Sequence, residues 1–165
     1  KLSQRKIVDD EYVSNISMQD LLFEIYKSFD ETSNKKIVLN INKSSKKIPI
    51  QRSAEVTYGI RNFVGNAVKF SKKNVNINLV GNDQTTTLQI SDDGPGFPDD
   101  IYKIIGEPYI TTKSKKLRSK AGLGLGTFIG KTLLERKKAN IEFLKSNDGG
   151  ALVEISWNNK DFVWN

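Results

Sequence analysis

The stretch that decides the fold is SAEVTYGIRNFVGNAVKFS, residues 53–71. Its apolar residues recur at intervals of three or four, which is the spacing of one face of an α-helix. These residues are Val56, Ile60, Phe63, Ala67 and Phe70. A helix with such a face buries it against another apolar layer, and the segment therefore predicts a helix that covers a β-sheet.

A polar stripe runs beside the apolar one on the same predicted helix. It contains Glu55, Gly59, Asn62, Asn66, Lys69 and Lys73. At ~100° per residue, this stripe lies about 60° further round the helix, so the two asparagines reach the margin of the core where a pocket would open. Asparagine is a poor helix former, and two of them in mid-helix indicate a use, although an exposed polar face also fits the pattern.

The segments on either side of this helix alternate between helical and strand patterns. Residues 18–29 have helical spacing, whereas residues 36–42 and 75–80 alternate as strands. Residues 85–93 follow a Gly-Asn-Asp turn as a hairpin partner, and a second hairpin surrounds residues 147–150. This order predicts an α+β fold, a two-layer sandwich with helices on one face of a sheet. We expect a linker over residues 1–17, one domain over 18–158 and a tail over 159–165.

The segment SDDGPGF, residues 91–97, places two acids directly before a Gly-Pro-Gly turn. Because side chains alternate along a strand, Asp92 shares a face with Leu88 and Ile90 and is carried into the interior. A buried carboxylate needs hydrogen-bond donors, and one on a bound base would serve. Asp93 points the other way. Gly94 and Gly96 allow the backbone to approach a ligand closely.

A second glycine cluster, residues 120–139, runs into a helix with Leu125, Ile129, Leu133 and Arg136 on one side. Unpaired amides at a helix start form an anion site, most often for phosphate, although many such loops are only tight turns. The basic loop of residues 111–120 precedes it and could act as a lid.

Composition limits the chemistry. The chain has 165 residues, no histidine and no cysteine, so a bound metal would have oxygen ligands and would be Mg²⁺ or Ca²⁺. The net charge of +7 suits a phosphorylated ligand, an acidic partner or nucleic acid. No apolar run suggests a membrane span or a secretory signal, and we expect a cytoplasmic domain.

The series RNFVGNAVKFS, SDDGPGF, GEPYITTK and AGLGLG resembles, in order and spacing, the N box, first glycine box, lid and second glycine box of the ATP-binding catalytic domain of sensor histidine kinases. The resemblance covers residues 18–158 and is strongest to the redox-responsive RegB/PrrB branch. It implies a Bergerat (GHKL) fold: a mixed sheet of about five strands covered on one face by three helices, with a mobile ATP lid.

The resemblance also implies roles for individual residues. Asn66 would be the side-chain ligand of Mg²⁺, with Asn62 one turn before it in the same site. Lys69 would neutralise phosphate charge, Phe70 would wall the nucleotide, and Asp92 would read the adenine amino group. Gly94 and Gly96 would give the base room. Phosphate contacts would come from Gly122, Leu123, Gly124, Leu125 and Gly126, and lid contacts from Tyr109, Thr111, Thr112 and Lys113.

The chain departs from the family pattern at three points. The lid lacks the first phenylalanine of Phe-x-Pro-Phe, and Ala151 stands where the family often has Thr or Ser to hydrate the adenine pocket. The phosphoacceptor histidine is also missing, because in the family it belongs to a preceding dimerisation hairpin. Residues 1–17 would be the end of that hairpin and its linker. The implied partners are ATP or ADP, that hairpin and a response regulator, in a full-length homodimer anchored in a membrane.

Three alternatives compete with this interpretation. Gyrase, Hsp90 and MutL ATPases share the implied fold but place a glutamate four residues before the metal-binding asparagine, where this chain has Asn62. An anti-sigma serine kinase of the same superfamily would phosphorylate a serine on a partner. Nucleic-acid binding has only the net charge in its favour, and we expect no nucleic-acid partner.

Overall fold

The computed structural model describes residues 15–42, 47–97 and 125–162, with the backbone alone for residues 125 and 126. The described residues contain three α-helices, namely α1 (Met18–Asp30), α2 (Ala54–Phe70) and α3 (Leu125–Arg136). The strands are β1 (Asn15–Ser17), β2 (Lys36–Ile41), β3 (Pro49–Gln51), β4 (Asn74–Gly81), β5 (Thr85–Asp92), β6 (Asn140–Lys145) and β7 (Ala151–Asn158), and a 3₁₀ helix follows at Asn159–Phe162.

Five of the strands form one mixed sheet in the order β2-β4-β5-β7-β6. The β2–β4 pair is parallel and the other three pairs are antiparallel. The two antiparallel hairpins, β4–β5 and β6–β7, are those that the turn residues predict. The predicted mixed five-stranded sheet is therefore confirmed.

The two faces of this sheet differ in polarity. Strand register places Ile77, Ile90 and Val153 side by side, and all three are buried beneath the helices. The row on the opposite face contains Asn78, Gln89 and Glu154. Because one face is apolar and the other polar, the helices cover one face only, and the α+β two-layer sandwich is confirmed.

Helices α1 and α2 begin at serine caps. The hydroxyl oxygen of Ser17 accepts a hydrogen bond from the Asp20 N–H at 3.0 Å, and that of Ser53 accepts one from the Val56 N–H at 3.3 Å. Such caps satisfy backbone donors that have no partner within the first turn. The predicted apolar stripe of α2 is buried from Val56 to Ala67.

Helix α3 turns a different side to the core than its sequence pattern suggests. Ile129 is 40% exposed and Arg136 is exposed, whereas Thr127, Phe128 and Leu134 are buried. The buried side includes a threonine and a glycine, which an analysis based on apolar spacing passes over.

The short elements were not predicted. Strand β1, which lies inside the segment expected to be a linker, pairs with β3 in a separate two-stranded sheet. At the other end, Phe162 is 1% exposed and packs on Trp157, with ring centroids 5.4 Å apart. Three or four residues are too few to show a period, so the sequence pattern could not reveal these elements.

Candidate functional site

A cavity opens between the C-terminal half of α2, the end of β5 and the start of β7. It encloses about 560 Å³, counting the mouth that opens to solvent. Its lining residues are Phe63, Asn66, Ala67, Phe70, Ile90, Asp92, Pro95, Gly96, Phe97, Thr127, Ala151 and Val153. The lining is mainly apolar with a few polar groups, as expected of a small-molecule site.

Asp92 is the acidic group of this cavity. It is the last residue of β5 and is 6% exposed. Its Oδ1 accepts hydrogen bonds from the Gly94 N–H at 2.8 Å and the Ala151 N–H at 3.4 Å. Within the described parts of the chain, Oδ2 of Asp92 accepts no hydrogen bond. One carboxylate oxygen is therefore held by the backbone, and the other is left for a donor in the cavity.

The pKa of the Asp92 carboxyl is raised above its ordinary value. Burial is the main cause, and the charge of Asp93 adds to it, while the backbone N–H groups of Gly94 and Ala151 act in the opposite direction. A ligand that donates a hydrogen bond to Asp92 would restore part of the solvation that the carboxylate has lost.

Glycines surround Asp92 because the backbone is crowded there. A Cβ added to Gly94 would lie 2.2 Å from the carbonyl oxygen of Phe70, and one added to Gly150 would lie 2.0 Å from the carbonyl oxygen of Asp92. Gly96 has a φ of 76° and lines the cavity. A side chain at position 94 would clash with the end of α2, so a glycine is required there. Gly96 instead lines the cavity.

Asp93 organises the turn that follows α2. Its carboxylate accepts hydrogen bonds from the backbone N–H groups of Lys72, Lys73 and Asn74 and from the Asn74 side chain. Burial opposes ionisation of Asp93, but these donors outweigh it and lower the pKa of the carboxyl to about 2. The two adjacent acids therefore have separate tasks, one in the cavity and one in the backbone of the turn.

Asn66 lies on α2 and lines the same cavity as Asp92. Its Nδ2 donates a hydrogen bond to the hydroxyl oxygen of Thr127 on α3 at 2.7 Å. Asn62, one turn earlier, donates instead to the backbone oxygen of Tyr58 at 3.3 Å and does not line the cavity. The Lys69 ammonium lies 5.3 Å from the centre of the Phe70 ring.

Aromatic rings form the apolar wall. Phe143 packs edge-on against both Phe63 and Phe97, with centroid distances of 5.9 and 5.8 Å. Phe63 and Phe97 line the cavity, so β6 supports the wall from behind through Phe143. An apolar wall of aromatic rings suits a planar ring system.

The structure brings together four of the residues predicted for the site: Asn66, Phe70, Asp92 and Gly96 line the cavity. Asn62, Lys69 and Gly94 lie nearby without lining it. Seven others lie outside the described residues, namely Tyr109, Thr111, Thr112, Lys113, Gly122, Leu123 and Gly124, together with the predicted lid. Leu125 and Gly126 begin α3, but only their backbone is described.

Sequence reasoning missed Thr127 and Gly150. Thr127 follows the glycine cluster directly, but the apolar pattern of this helix does not place it on the buried side. The Gly149-Gly150 pair was interpreted only as a hairpin turn. Its second member in fact lies against Asp92, which could not be inferred without the strand pairing.

Comparison with known proteins agrees with this geometry. Residues 51–160 match the family described as "Histidine kinase-, DNA gyrase B-, and HSP90-like ATPase", HATPase_c. This match covers most of the chain and includes α2, both sides of the cavity and the two hairpins. The chain belongs to this ATPase family, and the cavity with Asp92 and Asn66 lies within the matched region.

Among its relatives is the sensor histidine kinase RegB of Cereibacter sphaeroides, which is 36% identical over 124 residues. The matched region is 66% of this chain and 27% of RegB, so the chain spans about a quarter of that relative. The sensor protein kinase PilS of Pseudomonas aeruginosa is 36% identical over 70 residues, 42% of this chain and 12% of PilS. The predicted resemblance to the ATP-binding domain of RegB-type sensor histidine kinases is confirmed.

Solved structures show the same fold. The catalytic domain of histidine kinase ThkA superposes with a TM-score of 0.70 at 17% identity, covering 88% of this chain and 95% of that one. The ATP-binding domain of PrrB from Mycobacterium tuberculosis gives 0.62 at 18% identity, covering 85% and 92%. None of the helices in the described residues is long and apolar enough to cross a membrane.

Proposed function

We propose that this domain binds Mg-ATP in the cavity and positions its γ-phosphoryl group for transfer to a histidine on a separate dimerisation domain, as a sensor histidine kinase does. The observation that carries the proposal is the buried Asp92 carboxylate, which lines the mainly apolar cavity and has one oxygen held by backbone N–H groups, in a chain of this ATPase family.

Adenine fits the Asp92 end of the cavity. Its planar ring would lie between the Phe63, Phe97 and Phe70 side chains, and its exocyclic amine would donate to the Asp92 carboxylate. Guanine presents a carbonyl oxygen at that position, and two acceptors facing each other repel. The site is therefore selective for ATP over GTP.

Asn66 is the described residue best suited to hold Mg²⁺. Mg²⁺ prefers oxygen ligands and is commonly held by one or two protein oxygens together with substrate phosphates. In the described ranges, no group of three or more acidic side chains could hold a metal without the nucleotide. The Asn66 oxygen fits this requirement, and Mg²⁺ bound there would neutralise phosphate charge.

Phosphate contacts complete the proposed site. Lys69 is exposed next to Phe70 and supplies a cation to the phosphates, while Asn62 stands one turn from Asn66. The remaining phosphate and lid contacts are proposed for Tyr109, Thr111, Thr112, Lys113, Gly122, Leu123, Gly124, Leu125 and Gly126. In the transfer, the bond between the γ-phosphorus and the bridging oxygen breaks, a phosphorus–nitrogen bond forms on the imidazole, and ADP leaves.

The isolated domain has no group to complete this reaction. The chain has no histidine to accept phosphate, and the Asn62 amide is neither acidic nor basic enough to activate water. Asn62 also donates to Tyr58 rather than facing the cavity. These two features favour a kinase domain that depends on a partner over an ATPase that hydrolyses its nucleotide alone.

The partners and context follow from the same proposal. Residues 1–17 would join the domain over 18–158 to its dimerisation hairpin, and residues 159–165 would be a tail. The whole protein would be a membrane-anchored homodimer with this domain in the cytoplasm, passing phosphate to a response regulator.

Two measurements test the proposal. Calorimetric titration should give tight binding of ATP that strengthens with Mg²⁺, and weak binding of GTP. Adding a histidine-bearing dimerisation hairpin of the RegB type with labelled ATP should label the hairpin with acid-labile, base-stable phosphate, because a phosphoramidate is hydrolysed in acid. Acid-stable label on a partner would indicate a serine kinase, and rapid phosphate release by the isolated domain would indicate an ATPase.

A further inference from the structure

Thr127 connects the two helices that border the cavity. It is the third residue of α3, is 2% exposed, and lines the cavity beside Asn66. Its hydroxyl oxygen accepts the 2.7 Å hydrogen bond from Asn66 Nδ2. A buried hydroxyl costs stability unless it is hydrogen-bonded, and an apolar residue of the same size would fill this position without that cost. The Asn66 amide supplies the hydrogen-bond partner that the Thr127 hydroxyl needs in this buried position.

Close packing of the two helices fixes the geometry of this hydrogen bond. A Cβ added to Gly59 on α2 would lie 2.5 Å from the Cγ of Leu134 on α3, and one added to Gly130 would lie 3.2 Å from the Cβ of Asn62. The two glycines bring the helix backbones near each other on the same side as Asn66 and Thr127. The distance between the Asn66 and Thr127 side chains is thus set by the close approach of the two helix backbones.

The hydrogen bond has a direction that matters for a cation. A hydroxyl can donate as well as accept; in the arrangement found here it accepts from the Asn66 Nδ2, which leaves the Asn66 Oδ1 available. A half-turn of the amide would present Nδ2 to the cavity, and nitrogen protons repel a cation. Mg²⁺ requires the oxygen.

We propose that Thr127 is a positioning residue that holds the Asn66 amide with its oxygen toward the metal of the bound Mg-nucleotide. This inference rests on the proposed function. Thr127 is not one of the residues predicted for the site. Its effect would be on the metal, through Asn66, and not on the adenine or the phosphates.

The test uses two variants with nearly the same shape. Thr127→Val removes the hydroxyl and keeps the branched side chain, whereas Thr127→Ser keeps the hydroxyl. In the nucleotide-free protein with ¹⁵N-labelled asparagine, Thr127→Val should shift the Asn66 side-chain amide signals and speed their exchange with solvent, and Thr127→Ser should leave them close to the parent. Unchanged Asn66 signals in Thr127→Val would overturn the hydrogen bond on which the proposal depends.

Nucleotide affinity measured with and without Mg²⁺ provides the second readout. Thr127→Val should weaken binding of the Mg²⁺ complex of a non-hydrolysable ATP analogue about two- to tenfold, the range for one lost hydrogen bond, and leave metal-free binding unchanged. Thr127→Ser should restore the parent value. In an Asn66→Ala background, Thr127→Val should have no further effect on the Mg²⁺ dependence, because its partner is gone.

The outcomes separate the two proposals. If the parent protein shows no Mg²⁺ dependence, the metal role of Asn66 is wrong and the role of Thr127 falls with it. If the parent shows Mg²⁺ dependence that Thr127→Val leaves intact, only the positioning role is overturned. Equal weakening with and without Mg²⁺ would also overturn it, because the hydroxyl would then act on the shape of the cavity.

Discussion

Gly150 lies directly against Asp92. A Cβ added at Gly150 would be 2.0 Å from the carbonyl oxygen of Asp92 and 2.8 Å from the Oδ1 of Asp92. This approach lets the next residue, Ala151, point its backbone N–H at the carboxylate. Ser146, before the same turn, donates its hydroxyl to the Asp92 carbonyl oxygen at 3.1 Å. The β6–β7 turn is therefore part of the structure that holds the acid in place.

Gly150→Ala should destabilise the domain and weaken nucleotide binding together. The added methyl group cannot be accommodated without moving the backbone of Asp92, and overpacking of this kind costs about 1–3 kcal/mol. Chemical denaturation and ATP titration would measure the two effects. Gly65→Ala is the matched control: its Cβ would be 3.5 Å from the Phe29 ring, an ordinary contact, and alanine should stabilise α2 by about 0.5–1 kcal/mol. Unchanged ATP affinity in Gly150→Ala would contradict the link between the turn and Asp92.

Asp93→Ala should lower the thermal stability of the nucleotide-free domain by an amount that depends on pH. The folded pKa, about 2, is below the ordinary value of 3.8, so the ionised carboxylate stabilises the fold above pH 3.8 and loses this effect as the pH falls toward 2. The difference in melting temperature between parent and Asp93→Ala should be largest near pH 7 and shrink in acid. Asp93→Asn, which keeps one acceptor oxygen, should fall between them. A difference that is the same at pH 7 and pH 2.5 would show that ionisation of Asp93 does not matter.

For α2 and β5 the sequence predicts both the element and the face that it buries, because each displays its period over many residues, whereas for α3 it predicts the helix but not its buried side. Helix α2 buries the stripe from Val56 to Ala67, and Asp92 is buried as strand alternation requires. Both conclusions use only local geometry, namely the turn of a helix and the alternation of a strand.

Contacts between distant segments could not be predicted in the same way. The Asn66–Thr127 hydrogen bond joins residues 61 positions apart, and the place of Gly150 against Asp92 depends on the pairing of β5 with β7. Strand alternation predicts that Asp93 points away from the interior, and it does not reveal the four backbone and side-chain donors from the turn after α2. Such partners are set by the register of the sheet and the packing of helices, which a pattern along one segment does not contain.

Thr57→Val should stabilise the domain, whereas Thr86→Val should destabilise it. The Thr57 hydroxyl is buried and, among the described residues, has no hydrogen-bond partner, so valine should raise the free energy of unfolding by about 1 kcal/mol. Thr86 is also buried, but its hydroxyl donates to Asn159 Oδ1 at 2.6 Å, and valine there should lower that free energy by about 1–3 kcal/mol. Denaturant unfolding measures both. The same sign for the two variants would mean that hydrogen bonding of the buried hydroxyl does not determine the effect.

Asp92→Asn should separate stability from nucleotide binding. Asparagine keeps an acceptor oxygen for the Gly94 and Ala151 N–H groups but replaces the second carboxylate oxygen with a donor. ATP affinity should therefore fall by about 1.5–3 kcal/mol, the range for a hydrogen bond to a charged group, and the preference for ATP over GTP should shrink. Calorimetric titration of the parent and the variant with both nucleotides measures these changes. Equal affinity of the parent for ATP and GTP would remove the reason for placing adenine at Asp92.

The stability of Asp92→Asn, unlike its ATP affinity, should not fall at pH 7. Because burial raises the folded pKa of Asp92, ionisation opposes folding at pH values above the folded pKa, and this penalty disappears as the pH falls below the unfolded value of 3.8. Asp92→Asn has no charge to bury, so the nucleotide-free variant should be at least as stable as the parent at pH 7, with no such advantage near pH 3. A variant that is much less stable at pH 7 would show that the charged carboxylate stabilises the folded domain. In that case Asp92 would serve the fold, and its placement in a ligand site would need another explanation.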